Sequence, residues 1–123
     1  MKSGLVVYEN FKTDIQSEYK NSTCLILPSY REGLSKTIME AMYSGLPVIT
    51  YNVPGCMDIV KKSKAGLLAK FRNKVSLEKQ IIKFTSLSIS KKLDMSINAH
   101  NYAKKKFDEK KILSEYLNEI QKY

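Results

Sequence analysis

Residues 27–58 read LPSYREGLSKTIMEAMYSGLPVITYNVPGCMD, in which a polar loop separates an apolar run from an amphipathic helix. The helix is predicted because apolar residues recur at i, i+4, i+7 and i+8 and form one stripe, made of Leu34, Ile38, Ala41 and Met42. Ser35 is the predicted N-cap, and Gly45 is predicted to end the helix just before Pro47. The stretch therefore predicts a loop, a helix and a second apolar strand in succession.

Four short apolar runs recur along the chain, at Leu5–Tyr8, Cys24–Leu27, Val48–Tyr51 and Leu67–Ala69. Each run is continuous rather than alternating, which is typical of strands buried on both faces of a parallel sheet. The gaps between the runs have room for one helix each, and short helices are expected over Asp14–Tyr19 and from about Met57. The sequence therefore predicts a three-layer α/β fold with a parallel sheet.

After the fourth run the pattern predicts helices alone, beginning near Ser76, Ser90 and Asp108. Their expected apolar faces consist of Leu77, Ile81, Phe84 and Leu87, then Leu93, Ile97 and Phe107, then Ile112, Leu113, Tyr116, Leu117 and Ile120. We interpret residues 1–123 as a single domain that ends in C-terminal helices over residues 76–123.

Composition limits the class of protein. The chain has 123 residues, 43% of them hydrophobic and 27% charged, as expected of one globular domain. Two cysteines, Cys24 and Cys56, and one histidine, His100, are too few for a disulfide scaffold and argue against zinc chemistry. We expect Cys24 to be a small core residue at the start of a strand, and Cys56 to lie in a loop.

The net charge of +9 is unevenly distributed, because residues 1–59 carry −1 and residues 60–123 carry +10. A basic half is typical of proteins that bind nucleic acid, an anionic membrane surface or phosphorylated substrates, and it is also the ordinary solvated surface of a lysine-rich protein. We expect no nucleic-acid binding, since the tyrosines do not interleave with basic residues as a base-stacking surface requires.

Two acidic residues, Glu32 in the loop and Glu40 in the helix, are candidate functional residues. Ligands of an open parallel sheet bind at the carboxyl ends of its strands, where a helix N-terminus favours an anion. At about 100° per residue, Glu40 lies off the apolar stripe of its helix. On the residues alone, Glu40 is also interpreted as an exposed partner of Lys36, and Glu32 as a first-turn acid that favours the helix dipole.

The stretch resembles the C-terminal nucleotide-sugar-binding domain of retaining GT-B glycosyltransferases of family 4, the group 1 type. The residues that carry the resemblance are Pro28-Ser29-Tyr30-Arg31-Glu32-Gly33, Glu40-Ala41-Met42, Gly45-Leu46-Pro47-Val48-Ile49, Gly55, Asp58 and Gly66-Leu67-Leu68. It is strongest over residues 24–69 and implies a Rossmann-like partial domain, the second half of a donor-binding domain.

The resemblance implies a role for individual residues. Glu32, the expected catalytic residue, matches the acid that hydrogen-bonds hydroxyls of the donor sugar, and Glu40 matches the acid that accepts hydrogen bonds from the ribose. Gly33 and Leu34 match the loop whose backbone N–H groups meet the sugar and diphosphate, and Ser35 completes the expected donor-binding set. Further residues expected to border the crevice are Ser29, Tyr30, Arg31 and Tyr51.

The implied function is donor binding in a retaining glycosyltransferase that transfers a hexose or N-acetylhexosamine from a nucleotide sugar to a glycan or lipid-linked acceptor. Such enzymes act in polysaccharide or lipopolysaccharide biosynthesis, and the resemblance implies neither a cofactor nor a metal. The glycine-rich phosphate loop, the Arg and Lys pair and the acceptor-binding N-terminal domain of the family have no match in these residues. The chain alone is therefore expected to be inactive.

The alternative is a non-catalytic binding or assembly module of the same fold, whose basic C-terminal half contacts an anionic membrane or a partner. The expected location is cytoplasmic, with peripheral contact at the inner face of the membrane. We also expect self-association through an exposed edge of the sheet, because unpaired strand edges recruit other chains.

Overall fold

The computed structural model describes residues 15–28 and 35–121. In these ranges the chain forms, in order, α1 (Ile15–Lys20), β1 (Leu25–Leu27), α2 (Ser35–Tyr43), β2 (Val48–Tyr51), α3 (Pro54–Ser63), β3 (Gly66–Ala69), α4 (Lys74–Thr85) and α5 (Ile89–Gln121). The strand predicted at Leu5–Tyr8 lies outside the described residues. The other three predicted strands and the helix near Asp14–Tyr19 are confirmed, and their ends differ from the predicted ends by at most one residue.

The sheet has the order β1-β2-β3, and both pairings are parallel. Val48 lies in register with Leu25 on one side and with Gly66 on the other. The Thr50 hydroxyl donates a hydrogen bond to the Leu27 carbonyl oxygen at 2.8 Å, which adds a side-chain link between β1 and β2. All four side chains of β2 are buried, and they alternate between the two faces, so both faces of the sheet are covered. The predicted layered, parallel α/β architecture is confirmed.

Helix α2 ends in a Schellman motif, which the sequence signalled by Gly45. The Gly45 N–H donates to the Met42 carbonyl at 2.9 Å, and the Leu46 N–H donates to the Ala41 carbonyl at 3.1 Å. Gly45 has φ +88°, a left-handed conformation that glycine adopts without steric cost. Leu46 also packs with Ala41 and Tyr19 in a small buried cluster. The turn leads through Pro47 directly into β2.

Helix α3 begins at Pro54, earlier than the start predicted near Met57. Proline is favoured in the first turn because it has no N–H to satisfy, so Pro54 starts the helix and Val53 is the N-cap. The expectation that Cys56 lies in a loop is therefore wrong, since Cys56 is a fully buried residue of α3. The helix ends at Ser63, and its C-cap Lys64 has a left-handed φ of 56°.

Between residues 74 and 121 the chain forms two helices rather than the three that the sequence predicts there. Asn73 caps α4 by accepting a hydrogen bond from the Ser76 N–H at 2.9 Å, and the Ser88 hydroxyl oxygen accepts one from the Lys91 N–H at 3.1 Å at the start of α5. Helix α5 then continues for 33 residues through Asp108, so the prediction of a third helix starting there is wrong. No glycine or proline occurs between residues 89 and 121 to end it.

The main core lies between the sheet and α2, α3 and α5. Its largest fully buried side chains include Ile38, Met42 and Tyr51. From α5 it receives Ala99 and Ala103 rather than the predicted Leu93 and Ile97, which are exposed. The small alanines let α5 pack closely against α2. None of the helices in the described ranges is both long and apolar enough to cross a lipid bilayer.

Candidate functional site

Helix α5 runs antiparallel to α2, so the middle of α5 lies beside the start of α2. The C-terminal end of α2 lies at the amino edge of the sheet, since Leu46 and Pro47 connect it directly to β2. Near that end the Ser96 hydroxyl donates to the Gly45 carbonyl at 2.7 Å, and the Nδ1 atom of His100 lies 2.7 Å from the Tyr43 carbonyl oxygen. Helix α5 therefore starts at the amino edge and runs antiparallel to α2, toward the edge where ligands of parallel sheets bind.

A cavity of about 520 Å³ opens between α2, α3 and α5. We call it the α2–α5 pocket. It is lined by both charged and apolar side chains, namely Lys36, Met39, Glu40, Ile59, Tyr102, Lys106, Phe107 and Lys110. Three lysine side chains and one carboxylate thus line this pocket together with apolar side chains. A pocket with excess positive charge and two aromatic rings is suited to an anionic ligand that also has a ring or sugar face.

Lys106 is positioned by two weak contacts in this pocket. Its ammonium lies 3.5 Å from a Glu109 carboxylate oxygen and 5.6 Å from the centre of the Tyr102 ring. Exposed ion pairs contribute only about 0–1 kcal/mol, and exposed cation–π contacts a similar amount. Because both contacts are weak, little free energy is lost when the Lys106 ammonium turns away from Glu109. An anionic group of a ligand in the pocket would then accept a charge-assisted hydrogen bond from this ammonium.

Glu40 also borders a second cavity, of about 340 Å³, on the other side of Phe107. This cavity is lined by Lys20, Glu40, Tyr43, Ser44 and Phe107. The Phe107 ring packs edge-on against Tyr43, with 5.5 Å between ring centres, and so forms part of the wall of both cavities. Burial raises the pKa of Tyr19, and the nearby carboxylate of Glu40 raises it further. Glu40 thus stands between two cavities with its side chain exposed.

The position of Glu40 follows the sequence prediction. Ile38, Ala41 and Met42 are buried, whereas Glu40 points away from this stripe and lines the α2–α5 pocket. Ser35, the predicted N-cap, is the first residue of α2. The remaining loop residues lie outside the described part of the chain, so their expected roles stay predictions: Ser29, Tyr30, Arg31, Glu32, Gly33 and Leu34.

Tyr51 ends β2 as expected, but its side chain is only 1% exposed and packs in the main core cluster. Tyr51 therefore packs in the core, and the role at the crevice predicted for it stays a prediction. Cys24 lies just before β1 and is half-buried; burial raises the pKa of its thiol, while the charge of Lys92 opposes this effect. A raised pKa keeps this thiol protonated and poorly nucleophilic near neutral pH.

Sequence reasoning missed the wall of the pocket that α5 supplies. Tyr102, Lys106 and Lys110 follow one another at intervals of four residues and lie on one helix face, a pattern that was visible in the sequence. In residues 15–28 and 35–121 there is no group of three or more His, Cys, Asp or Glu side chains placed to hold a metal ion. The expectation of metal-free donor binding stays a prediction.

Comparison with known proteins identifies the family. The parallel sheet with its helices is a Rossmann-like arrangement of the GT-B type, and the profile of the family described as "Glycosyl transferases group 1" matches residues 4–106. The chain belongs to this family. It resembles WaaG, "a glycosyltransferase involved in lipopolysaccharide biosynthesis", in fold, with a TM-score of 0.67 and 23% sequence identity over 76% of this chain and 25% of that one.

Two curated relatives are similar in sequence. The N,N'-diacetylbacillosaminyl-diphospho-undecaprenol alpha-1,3-N-acetylgalactosaminyltransferase of Campylobacter jejuni is 31% identical over 81 residues, which is 66% of this chain and 22% of the relative. The UDP-Gal:alpha-D-GlcNAc-diphosphoundecaprenol alpha-1,3-galactosyltransferase of Escherichia coli is 32% identical over 75 residues, 61% of this chain and 19% of the relative. The chain therefore spans about a fifth of the length of these two relatives.

Proposed function

We propose that this chain is the donor-binding part of a retaining glycosyltransferase that moves a hexose or N-acetylhexosamine from a nucleotide sugar to a glycan or lipid-linked acceptor. The observation that carries the proposal is the placement of Glu40, inside the family-matched region and on the wall of a lysine-lined pocket. The names of two relatives, which act on diphospho-undecaprenol-linked acceptors, support the acceptor class.

In this proposal the α2–α5 pocket binds the nucleotide. The Glu40 carboxylate accepts hydrogen bonds from the two vicinal ribose hydroxyls, because a carboxylate has two oxygens and only accepts. The ammonium groups of Lys36 and Lys106 face the negative charge of the diphosphate. Their charge stabilises the departing phosphate, which lowers the barrier to breaking the bond between sugar and phosphate.

Glu40→Gln tests the ribose contact. The glutamine keeps the size of the side chain but loses its charge and one acceptor, so nucleotide binding should weaken by about 1.5–3 kcal/mol, the range for hydrogen bonds to charged groups. Calorimetric titration of the chain with UDP and with GDP measures this loss. Glu78→Gln, on the exposed surface of α4 and outside the α2–α5 pocket, is the matched control and should bind like the unmodified chain.

Two results would count against the proposal in different ways. If the unmodified chain binds neither nucleotide, nucleotide binding by the 123 residues is wrong. If it binds and Glu40→Gln binds equally well, the nucleotide lies elsewhere and Glu40 is an exposed helix glutamate.

Glu32 is proposed to contact the donor sugar instead of the nucleotide. Glu32→Gln, made within a full-length glycosyltransferase of this family that carries these residues, should therefore lower turnover of the nucleotide sugar while leaving the affinity for the bare nucleoside diphosphate nearly unchanged. Parallel kinetics and titration with the diphosphate separate the two effects. An equal loss in both measurements would show that Glu32 binds the nucleotide or supports the fold.

A further inference from the structure

The second cavity beside Glu40, of about 340 Å³, has walls of a different chemistry from those of the α2–α5 pocket. We call it the Tyr43 cavity. Among the described residues, three lysines line the α2–α5 pocket, whereas the Tyr43 cavity has one, Lys20, together with two aromatic rings and the Ser44 hydroxyl. Glu40 and Phe107 line both cavities. A ligand held at Glu40 can therefore extend into both, and its two ends then meet different groups.

The aromatic rings of the Tyr43 cavity form a corner. The centres of the Tyr43 and Phe107 rings lie 5.5 Å apart, and their planes meet at 72°. The His100 ring lies 5.2 Å from the Tyr43 ring, so α5 holds Tyr43 at two points. Tyr43 is still 46% exposed and Phe107 38% exposed. A flat ring that stacks on one of them meets the other at its edge, and aromatic pairs prefer these two arrangements.

Two polar groups complete the wall of the Tyr43 cavity. The Lys20 ammonium only donates hydrogen bonds. The Ser44 hydroxyl donates to the Glu40 carbonyl oxygen at 3.4 Å, so the hydroxyl oxygen is still able to accept. The edge of a nucleobase has both acceptors and N–H donors, and its faces stack on aromatic side chains. The cavity therefore has the groups that a nucleobase requires.

Lys36, Glu40 and Tyr43 lie in that order along one face of α2. At 100° and 1.5 Å per residue they fall within about 60° of one another, with Lys36 about 6 Å before Glu40 and Tyr43 about 4.5 Å after it. A nucleoside diphosphate has the same order, because its ribose lies between the phosphates and the base. The start of α2 favours the phosphates, since a helix N-terminus attracts anions and the lysines line the pocket there. The base then points toward Tyr43.

We infer that the Tyr43 cavity is the subsite for the nucleobase, with the base in the corner of Tyr43 and Phe107 and the ribose at Glu40. The inference rests on the proposed function, because it places the remaining part of the nucleotide whose ribose and phosphates lie in the α2–α5 pocket. Tyr43 is then a specificity-determining residue. It distinguishes a nucleotide from a sugar phosphate that has no base.

Three ligands test the subsite. UDP, UMP and ribose 5-phosphate all contain a phosphorylated ribose, but only UDP and UMP contain a base. Tyr43→Ala should weaken the binding of UDP and UMP about fivefold or more, the lower end of the range for base–aromatic stacking, and should leave ribose 5-phosphate unchanged. Tyr43→Phe keeps the ring and should bind all three like the unmodified chain. Calorimetric titration of the full 123-residue chain measures the dissociation constants, with the weaker ligands displacing UDP.

Two further variants control this measurement. Tyr116→Ala removes an exposed tyrosine of α5 that lies outside both cavities, and it should leave the binding of all three ligands unchanged. Tyr43→Leu keeps an apolar contact with Phe107 and should show the same selective loss as Tyr43→Ala, so the test does not depend on one variant. Circular dichroism and thermal unfolding check that each variant is folded.

Failure of the inference differs from failure of the proposed function. If Tyr43→Ala and Tyr43→Leu bind UDP as tightly as the unmodified chain, the base lies elsewhere and the inference is overturned, while Glu40→Gln still tests the ribose contact. If both variants lose ribose 5-phosphate as strongly as UDP, Tyr43 supports the fold or the ribose, and the inference is again overturned. If the unmodified chain binds no UDP, nucleotide binding itself is wrong and the base subsite fails with it.

Discussion

Tyr19 couples the stability of the fold to pH. Burial and the Glu40 carboxylate both raise the pKa of its phenol above the ordinary value of 10.0. The unfolded chain therefore releases this proton before the folded chain does, and the free energy of unfolding falls as the pH rises above 10.0. Below that pH both states keep the proton, and Tyr19 makes no pH-dependent contribution.

Tyr19→Phe should remove this part of the alkaline loss of stability. Urea unfolding at pH 8 and at about pH 10.5 measures it, since the variant should lose less free energy between the two values than the unmodified chain does. Tyr43→Phe, which changes an exposed tyrosine, controls for the loss of a hydroxyl and should behave like the unmodified chain. Identical losses in Tyr19→Phe and Tyr43→Phe would show that Tyr19 titrates alike in both states.

The positions of some residues of the site could be predicted from the sequence, and those of others could not. The outward position of Glu40 follows from helical periodicity alone, because the stripe of α2 leaves it off the core. The opposite wall, with Tyr102 and Lys106, depends on how α5 crosses α2, and tertiary packing decides that. Cys56 was misplaced because the local signal of Pro54 and Gly55 is shared by loops and by helix starts.

Among the elements, the β2–β3 pair should be sensitive to one methyl group. A Cβ atom built at Gly66 would lie 2.1 Å from the Val48 carbonyl oxygen, and a backbone atom cannot move aside as a flexible side chain can. Gly66→Ala should therefore lower the free energy of unfolding by about 3 kcal/mol or more, at or above the upper end of overpacking effects. Chemical denaturation measures this change.

Gly55→Ala is the control for Gly66→Ala. Gly55 lies in the first turn of α3 and does not have the left-handed backbone of Gly45, so alanine is accepted there and changes stability little or raises it slightly. A Gly66→Ala variant as stable as Gly55→Ala would mean that β2 and β3 are farther apart in solution than their register indicates.

The strands were easier to predict from sequence than the last helix. Continuous apolar runs located β1, β2 and β3, because burial on both faces of a parallel sheet leaves a strong local pattern. The break predicted at Asp108 failed because aspartate, although it is favoured at a helix start, also occurs inside helices, and no glycine or proline before it ends α5. The burial of Ala99 and Ala103 instead of larger residues reflects the close approach of α5 to α2, which no local pattern records.

At the scale of the whole molecule, some lysines of the basic half line the α2–α5 pocket and others lie on the exposed surface. Lys106 and Lys110 face the α2–α5 pocket together with Lys36, so part of the positive charge lies where the proposed nucleotide binds. Other lysines, such as Lys104 and Lys111, are exposed on the last half of α5. Self-association through the sheet edge stays a prediction.

The isolated 123-residue chain is expected to bind a nucleoside diphosphate without transferring sugar. Its described residues form one sheet with the pocket on one side, and the chain spans about a fifth of the length of the relatives compared above. Transfer requires donor and acceptor to be held in one cleft, and such positioning contributes about 7–11 kcal/mol of the barrier reduction. Binding, in contrast, requires only the contacts of the donor.

Two assays on the same preparation separate binding from transfer. Titration with UDP or GDP reports binding, and incubation with labelled nucleotide sugars and a diphospho-undecaprenol-linked sugar reports transfer. The Escherichia coli relative, assayed beside the chain with its own named donor and acceptor, shows that the transfer assay works. Sugar transfer by the chain at a rate near that of the relative would contradict the prediction, because it would mean that these 123 residues position the acceptor as well as the donor.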